Sequence, residues 1–197
     1  MALRFDASPT HVPLQIVGDE LSMPALAAIA VVALAALGAL AWWWKRRQHP
    51  ARRLKRAFGS VDEVSILMHP NPDPDAMASA MAAATIARDA DATPVLQYPG
   101  SIRHQENRAF RTVLDLELDC IETRGDLHDD VVLVDHNEPR GFQGAEGVDP
   151  LAVVDHHPGD GTGRVTDVRP DVGACASLFV EYFEELDATV GADDGLS

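Results

Sequence analysis

The sequence predicts an α/β domain built on a parallel, Rossmann-like sheet and preceded by one transmembrane helix. After residue 60, short apolar runs alternate with helical stretches, which is the pattern of βαβ units. The runs 131–134 and 151–154 are continuously apolar, as strands buried on both faces of a parallel sheet are. Upstream, residues 24–44 form 21 consecutive positions without a charge.

The uncharged run 24–44 has the properties of a membrane anchor. At about 1.5 Å per residue it spans roughly 31 Å, the thickness of one hydrocarbon core. Three tryptophans, Trp42, Trp43 and Trp44, end the run, where indole rings favour the membrane interface. Seven basic residues follow within 45–56, whereas Arg4 is the one basic residue before the run. The positive-inside rule therefore predicts a single-pass cell-membrane protein, with residues 1–23 outside and the body in the cytoplasm.

Two alternatives to an anchor fit the same residues less well. A cleaved signal peptide is disfavoured because a basic region before the apolar run is missing. A buried helix of a soluble domain is disfavoured because such a helix rarely ends in three tryptophans and a basic cluster. Residues 45–60 are then expected to form a basic juxtamembrane linker that contacts anionic lipid headgroups, each base contributing about 1 kcal/mol near such a surface.

The charge of the body excludes one class of partner. Residues 57–197 carry 28 acidic and eight basic residues and no lysine. Long duplex DNA is excluded as a partner because phosphate backbones need a basic surface. An acidic surface without lysine is expected of a protein that works in molar salt, where charge repulsion is screened, and we expect a halophilic source. A solubilised acidic domain is the alternative.

The predicted elements of the body follow in order along residues 61–187. They are strand 64–68, helix 75–90, strand 93–98, helix 105–114, strands 131–134, 151–154 and 164–168, and a closing helix 173–186. Residues 188–197 form an acidic, glycine-containing tail. The two cysteines, Cys120 and Cys175, have no ligand-like spacing and are expected to be reduced thiols.

Acidic residues and histidines follow three of these strands. The first strand runs into His69, Asp73 and Asp75, the third is followed by Asp135, and the fourth by 155–157, Asp-His-His. The carboxyl ends of parallel strands meet at one edge of a sheet, where ligands bind. Carboxylates with imidazoles suit Mn²⁺, Mg²⁺ or Zn²⁺, and this carboxylate-rich set favours Mn²⁺ or Mg²⁺. There are more candidate ligands than one ion needs, which predicts a pair of divalent ions about 3.5–4 Å apart.

Each cluster also has a purely structural interpretation. Asp73 before Pro74 suits a helix N-cap followed by proline. Asp135 alone would suit an Asx turn, and the Asp-His-His run a solvated turn. The metal interpretation is preferred because all three clusters follow apolar strands.

The motif spacing resembles that of the DHH phosphoesterase family over residues 62–187. His69-x3-Asp73-x-Asp75 resembles the first motif, Asp135 the second, and Asp155-His156-His157 the motif that names the family. The stretch His104-x-x-Asn107-Arg108-Ala109 resembles one found in oligoribonuclease and cyclic-dinucleotide members. The small residues 173–177 resemble the start of the helix after the third motif.

The resemblance implies a set of roles. One ion would be held by His69, Asp73 and Asp135, and the other by Asp75, Asp135 and His156, with Asp135 bridging. His157 would be the catalytic residue that faces the phosphate, and Asn107 and Arg108 would contact substrate. The implied activity is that of a metal-dependent phosphodiesterase, a hydrolase of small nucleotides such as a cyclic dinucleotide or a short oligoribonucleotide, with two Mn²⁺ or Mg²⁺ ions.

The sequence departs from the family pattern after the closing helix. The family's fourth motif, an aspartate, and its second domain are not found, and Asp193 and Asp194 lie in the acidic tail. The chain is therefore expected to be truncated and slow, with a homodimer or a partner chain supplying the missing part. Two further functions stay open: a membrane-anchored nucleotide or metal sensor without turnover, and a RecJ-like single-strand exonuclease.

Overall fold

The computed structural model describes residues 23–187, which divide between residues 43 and 44 into two compact units. The predicted extracytoplasmic segment up to residue 22 and the acidic tail 188–197, with Asp193 and Asp194, lie outside the described residues. The predicted α/β class with a parallel sheet is confirmed in the second unit.

Helix α1 spans Met23–Gln48. Its alanines and leucines are strong helix formers, and the large side chains described along it are exposed, among them Leu34 at 69% and Leu37 at 62%. The stretch Leu26–Trp44 is long and apolar enough to cross a membrane. The helix continues four residues beyond the predicted end at Trp44.

The body is built on six parallel strands in the order β3-β2-β1-β4-β5-β6. In chain order they are β1 Glu63–Leu67, β2 Thr93–Pro99, β3 Asp119–Ile121, β4 Val131–Val134, β5 Ala152–Asp155 and β6 Val165–Val168. The order reverses between β1 and β4, which creates the topological switch point at which open α/β sheets bind ligands.

The two faces of the sheet are covered differently. Helices pack on one face, and they are α2 Pro50–Phe58, α3 Pro74–Arg88, α4 Gln105–Val113 and α5 Cys175–Leu186. The seven alanines of α3 let this helix approach the sheet closely, and it packs beside α5. On the other face, loop residues Leu127, Phe142 and Val148 cover the sheet. The alternating side chains of β4 and β5 are buried on both faces, as their apolar sequences predicted.

Helix α2 corrects the predicted linker 45–60. It begins with Pro50, and the ring of His49 accepts a hydrogen bond from the amide of Ala51 at 3.3 Å. Its Leu54 and Phe58 are fully buried against the core. The folded body therefore starts before the predicted residue 61, because apolar residues at helical spacing stand among the basic ones.

Two basic residues of α2 form ion pairs with acidic residues of the body. Arg52 pairs with Glu185 at 2.6 Å, and Lys55 pairs with Asp89 at 2.5 Å. These ion pairs fasten α2 to α5 and to the end of α3. Within the predicted linker 45–60, residues 50–58 are therefore a helix packed on the body.

Strand β3 was not predicted. It has three residues, of which Ile121 alone is buried, and it pairs in parallel with β2 at the sheet edge. A three-residue strand has too few positions to express a hydrophobic period, so its existence depends on β2. The two cysteines are free, as predicted, with Cys120 exposed and Cys175 buried.

Candidate metal centre

The loops that follow β1, β4 and β5 meet at the carboxyl edge of the sheet. These strands are neighbours across the switch point, so the residues after them come together. Six of the predicted site residues gather there: His69, Asp73, Asp75, Asp135, His156 and His157. Asn107 and Arg108 lie on a separate element, α4.

Asp135 stands at the centre of this group. It is 1% exposed and adopts a left-handed backbone conformation with φ of 60°, directly after β4. Its Oδ2 lies 3.4 Å from Nε2 of His69, and its Oδ1 lies 3.3 Å from Nε2 of His156. One buried carboxylate therefore has an imidazole on each side.

Both imidazoles are held with the same nitrogen facing Asp135. Nδ1 of His69 donates to the carbonyl of Pro70 at 3.0 Å, and Nδ1 of His156 donates to the carbonyl of Val172 at 3.1 Å. A carbonyl oxygen can only accept, so the proton of each neutral ring is on Nδ1 and the lone pair is on Nε2. Metal-binding histidines have this arrangement, in which a backbone carbonyl fixes the tautomer.

These lone pairs face carboxylate oxygens that have little else to bind. The Oδ1 atom of Asp135 is buried without a hydrogen-bond partner among the described residues. Burial raises the pKa of Asp135. Burial lowers the pKa of His69, but hydrogen bonding to Asp135 and nearby carboxylates outweigh it, and the net pKa of His69 is raised. A divalent cation would take the place of these protons, and the donor set fits Mn²⁺ or Mg²⁺.

Asp73 has one structural and one free oxygen. Its Oδ1 accepts from the amides of Asp75 and Ala76 at 2.9 and 3.0 Å, so it caps α3 as the structural alternative anticipated. It also lies with His69 and Asp135 in a group whose ligand atoms are within 4.8 Å of one another. The capping bonds orient the carboxylate without using Oδ2.

Both carboxylate oxygens of Asp75 accept hydrogen bonds from the start of α5, a contact that the sequence did not indicate. Its Oδ2 accepts from the amide of Cys175 and its Oδ1 from the amide of Ala176, each at 2.8 Å. The N-cap of α5, Ala174, has no side chain able to cap. Asp75 therefore caps α5 from 100 residues away, while its Oδ2 lies 3.6 Å from Nε2 of His156.

His157 is oriented by Asp155. The Oδ1 atom of Asp155 accepts from Nδ1 of His157 at 2.8 Å and from the amides of His156 and His157. Although Nδ1 of His157 is also 3.7 Å from Asp135, its proton is committed to Asp155. The ring is half-exposed, and its Nδ1 is engaged by Asp155. The orienting role of Asp155 was not predicted.

Asn137 connects the loops after β4 and β5. Its Nδ2 donates to the carbonyls of His157 and Pro158 at 3.4 and 3.2 Å. Gly159 has φ of 146°, and a Cβ there would lie 2.5 Å from Nδ2 of Asn137. The backbone that carries His157 is therefore held against Asn137, and only glycine allows this approach.

The structure gives Asn107 and Arg108 supporting contacts. Asn107 is buried, and its Nδ2 donates to the carbonyl of Pro72 at 3.0 Å, within the loop that carries His69 and Asp73. Arg108 donates to the carbonyls of Ile102 and Arg103. Substrate contact by these two residues stays a prediction, and the geometry gives Asn107 a role in positioning the loop.

His136 is a neutral residue behind the site. It is 1% exposed, its Nδ1 donates to the carbonyl of Val134 at 2.9 Å, and its ring lies edge-on to that of His69. Burial lowers the pKa of His136 to about 4. It therefore supports His69 without adding a charge.

The profile of the DHH family, N-terminal domain, matches residues 63–194. The chain belongs to the DHH family. The matched residues include each of the three motifs gathered at the carboxyl edge, so the resemblance seen in the sequence is confirmed at the level of the family.

This DHH chain is similar to a curated protein sequence and to a solved structure. An uncharacterized protein of Methanocaldococcus jannaschii is 37% identical over 124 residues, which cover 62% of this chain and 26% of the relative. The chain thus spans about a quarter of that relative's length. A crystal structure of an exopolyphosphatase-related protein from Bacteroides fragilis is 15% identical, with a TM-score of 0.48, over 71% of this chain and 44% of the other.

Proposed function

We propose that this chain is a membrane-anchored, metal-dependent phosphoesterase that hydrolyses phosphodiester bonds of small nucleotides. The substrate class is a cyclic dinucleotide or a short oligoribonucleotide. The observation that carries the proposal is the buried Asp135 between two Nε2 atoms, with its Oδ1 unpartnered among the described residues. Family membership supports the chemistry, since residues of all three motifs take part.

The residues divide into two ligand sets. His69, Asp73 and Asp135 would hold one divalent ion, and Asp75, Asp135 and His156 the other, most favourably as Mn²⁺, with Mg²⁺ as the alternative. Ligand atoms 3.3–3.6 Å apart suit a shared small cation, because each metal–ligand bond is about 2.0–2.2 Å. Bound ions of this type polarise a phosphoryl group and lower the pKa of water, so that hydroxide is available near neutral pH.

The protein's own groups position the substrate and stabilise the charge that develops on it. Nε2 of His157 meets a phosphoryl oxygen, because Nδ1 is held by Asp155. In its cationic form this nitrogen donates a hydrogen bond to the oxygen on which charge develops. The Asp155 carboxylate keeps the ring in one orientation during this step, and Asn137 keeps its backbone in place.

The test is hydrolysis of cyclic-di-AMP and of the dinucleotide pApA by the full chain in detergent, with Mn²⁺ and in high salt, as the acidic body requires. Hydrolysis that needs Mn²⁺ and falls at least about 10²-fold in His157→Ala is expected. A control, Arg88→Gln at the far end of α3, keeps the wild-type rate. Mn²⁺ binding without hydrolysis of either nucleotide contradicts the enzyme and favours a sensor without turnover.

The membrane proposal concerns topology. Helix α1 is long and apolar enough to span a bilayer, and the positive-inside rule orients its N-terminus outward. Protease added to sealed cells is expected to spare the body after residue 57 and to digest it once the membrane is permeabilised. Digestion in sealed cells contradicts the orientation, and recovery of the chain without membranes contradicts the anchor.

A further inference from the structure

The arginines of the acidic body differ in whether their guanidinium groups have acceptors. Eight arginines stand among 28 acidic residues after residue 57. Five of them have acceptors for their guanidinium group: Arg108, Arg111, Arg124, Arg164 and Arg169. The other three, Arg88, Arg103 and Arg140, are exposed and have no acceptor for this group among residues 23–187.

Two of these three free arginines flank the loop that carries His69 and Asp73. The amide of Arg103 donates to Oδ1 of Asn71 at 2.6 Å. On the other loop, next to Arg140, Gly141 has φ of 89°, and a Cβ there would lie 2.4 Å from Cγ of Pro70. The backbones beside both arginines therefore contact two consecutive residues of the metal-binding loop, Asn71 and Pro70.

Both flanking segments are fixed by contacts of their own. Arg108 donates to the carbonyl of Arg103, and Asn107 ties the same segment to the carbonyl of Pro72. Gly141 is confined between Pro70 and Pro99, since its Cβ position is 3.4 Å from Cγ of Pro99. The backbone segments that carry the two arginines are thus fixed beside the metal-binding loop.

We propose that Arg103 and Arg140 form a second anion subsite, which binds a phosphate group of the substrate other than the one that reacts. This proposal rests on the proposed function and specifies its substrate as a nucleotide with at least two phosphate groups. Arginine suits the role because its planar fork binds phosphate oxygens in pairs. Since neither guanidinium has an acceptor among the described residues, its N–H donors are available to such a ligand.

The test compares two probes that cannot be hydrolysed, methylenediphosphonate with two phosphoryl groups and methylphosphonate with one. Binding to the full chain in detergent is measured by calorimetry at saturating Mn²⁺. Wild-type protein is expected to prefer the diphosphonate. Arg103→Gln and Arg140→Gln each weaken diphosphonate binding about ten-fold, the scale of one charge-assisted hydrogen bond, and leave methylphosphonate binding within about two-fold.

The controls separate this proposal from a structural effect. Arg88→Gln is the matched variant, because Arg88 is equally exposed and free but lies at the other end of α3, roughly 21 Å along the helix axis. It leaves both affinities unchanged, and Arg140→Lys recovers part of the loss. Bound Mn²⁺ and melting temperature stay at wild-type values in all variants.

The outcomes for subsite and enzyme are distinguishable. Equal losses for both probes, or no loss, overturn the subsite while nucleotide hydrolysis still stands. A preference for the diphosphonate that is lost in the arginine variants, with no hydrolysis of cyclic-di-AMP or pApA, supports the subsite and overturns the enzyme. If wild-type protein binds neither probe, the subsite is overturned, and hydrolysis of cyclic-di-AMP or pApA decides the enzyme separately.

Discussion

The two ligand groups around Asp135 differ in what else their carboxylates do. In the first, with His69, the Asp73 carboxylate caps its own helix through one oxygen. In the second, with His156, the Asp75 carboxylate caps a distant helix through both oxygens. The first group is thus assembled mostly by a local turn after β1, whereas the second exists only when α3 and α5 are packed together.

This difference indicates how metal binding and folding are coupled. A local group can form as soon as β1, β4 and α3 are in place. The second group joins β5, α3 and α5, so an ion held there links the closing helix to the rest of the body. Any ligand that binds only the folded state stabilises it by RT ln(1 + [L]/Kd).

The largest effect is expected from Asp135→Asn, because this residue belongs to both groups. Asparagine tolerates the left-handed backbone at this position and removes the charge that both ions need. We expect no rise of melting temperature with Mn²⁺ and a loss of hydrolysis of at least about 10²-fold. Stability without metal should not fall, since the buried carboxylate has a raised pKa. A melting temperature that still responds fully to Mn²⁺ would show that the groups do not share Asp135.

The next comparison removes one imidazole at a time. His69→Ala should leave the ion of the second group, and His156→Ala the ion of the first, so the number of bound Mn²⁺ ions falls from two to one in each. Equilibrium dialysis with metal analysis measures this number. The double variant binds none. Loss of both ions in either single variant would mean that the two groups bind cooperatively and are not separable.

The pH dependence of stability tests the role of His136, the buried neutral histidine behind the first ligand group. His136 is neutral in the folded state with a pKa of about 4, against an ordinary value of 6.5. The unfolded chain therefore binds an extra proton between these values, and stability is full above pH 6.5 and is lost as the pH falls toward about 4. The loss amounts to roughly 3 kcal/mol at most.

Urea unfolding of the metal-free protein at pH 7.5 and pH 4 measures this loss. His136→Gln should reduce it, and the exposed His104→Gln should not change it. The same loss in wild-type protein and in His136→Gln would show that His136 is not the group responsible.

The smallest effect separates the two capping aspartates. Asp73→Asn keeps a good N-cap, so it should change the free energy of unfolding without metal by only about a few tenths of a kcal/mol. Asp75→Asn places an amide donor against the amides of α5, so it should lower this free energy by about 1 kcal/mol. Chemical denaturation in EDTA measures both. Equal costs would mean that α5 does not depend on Asp75 for its cap.

Sequence reasoning succeeded where a signal is local. The apolar runs of β4 and β5 predicted buried parallel strands, and the motif residues after β1, β4 and β5 were placed correctly at one edge. It failed for α2, whose buried Leu54 and Phe58 are separated by basic residues, and for β3, which is too short to have a period. In both cases the stabilising partner is distant in the chain.

By itself, the sequence determined the class of the fold, the edge at which the ligands lie and the helix that is able to span a membrane, because hydrophobic period and motif spacing are properties of neighbouring residues. Only the tertiary structure decided which nitrogen of His69 and of His156 faces Asp135, that Asp75 caps α5, and that Asn107 supports a loop. The Pro70 carbonyl beside His69 lies within the motif. The partners of His156, Asp75 and Asn107 lie outside the spacing of their motifs, and they are set by how the elements pack.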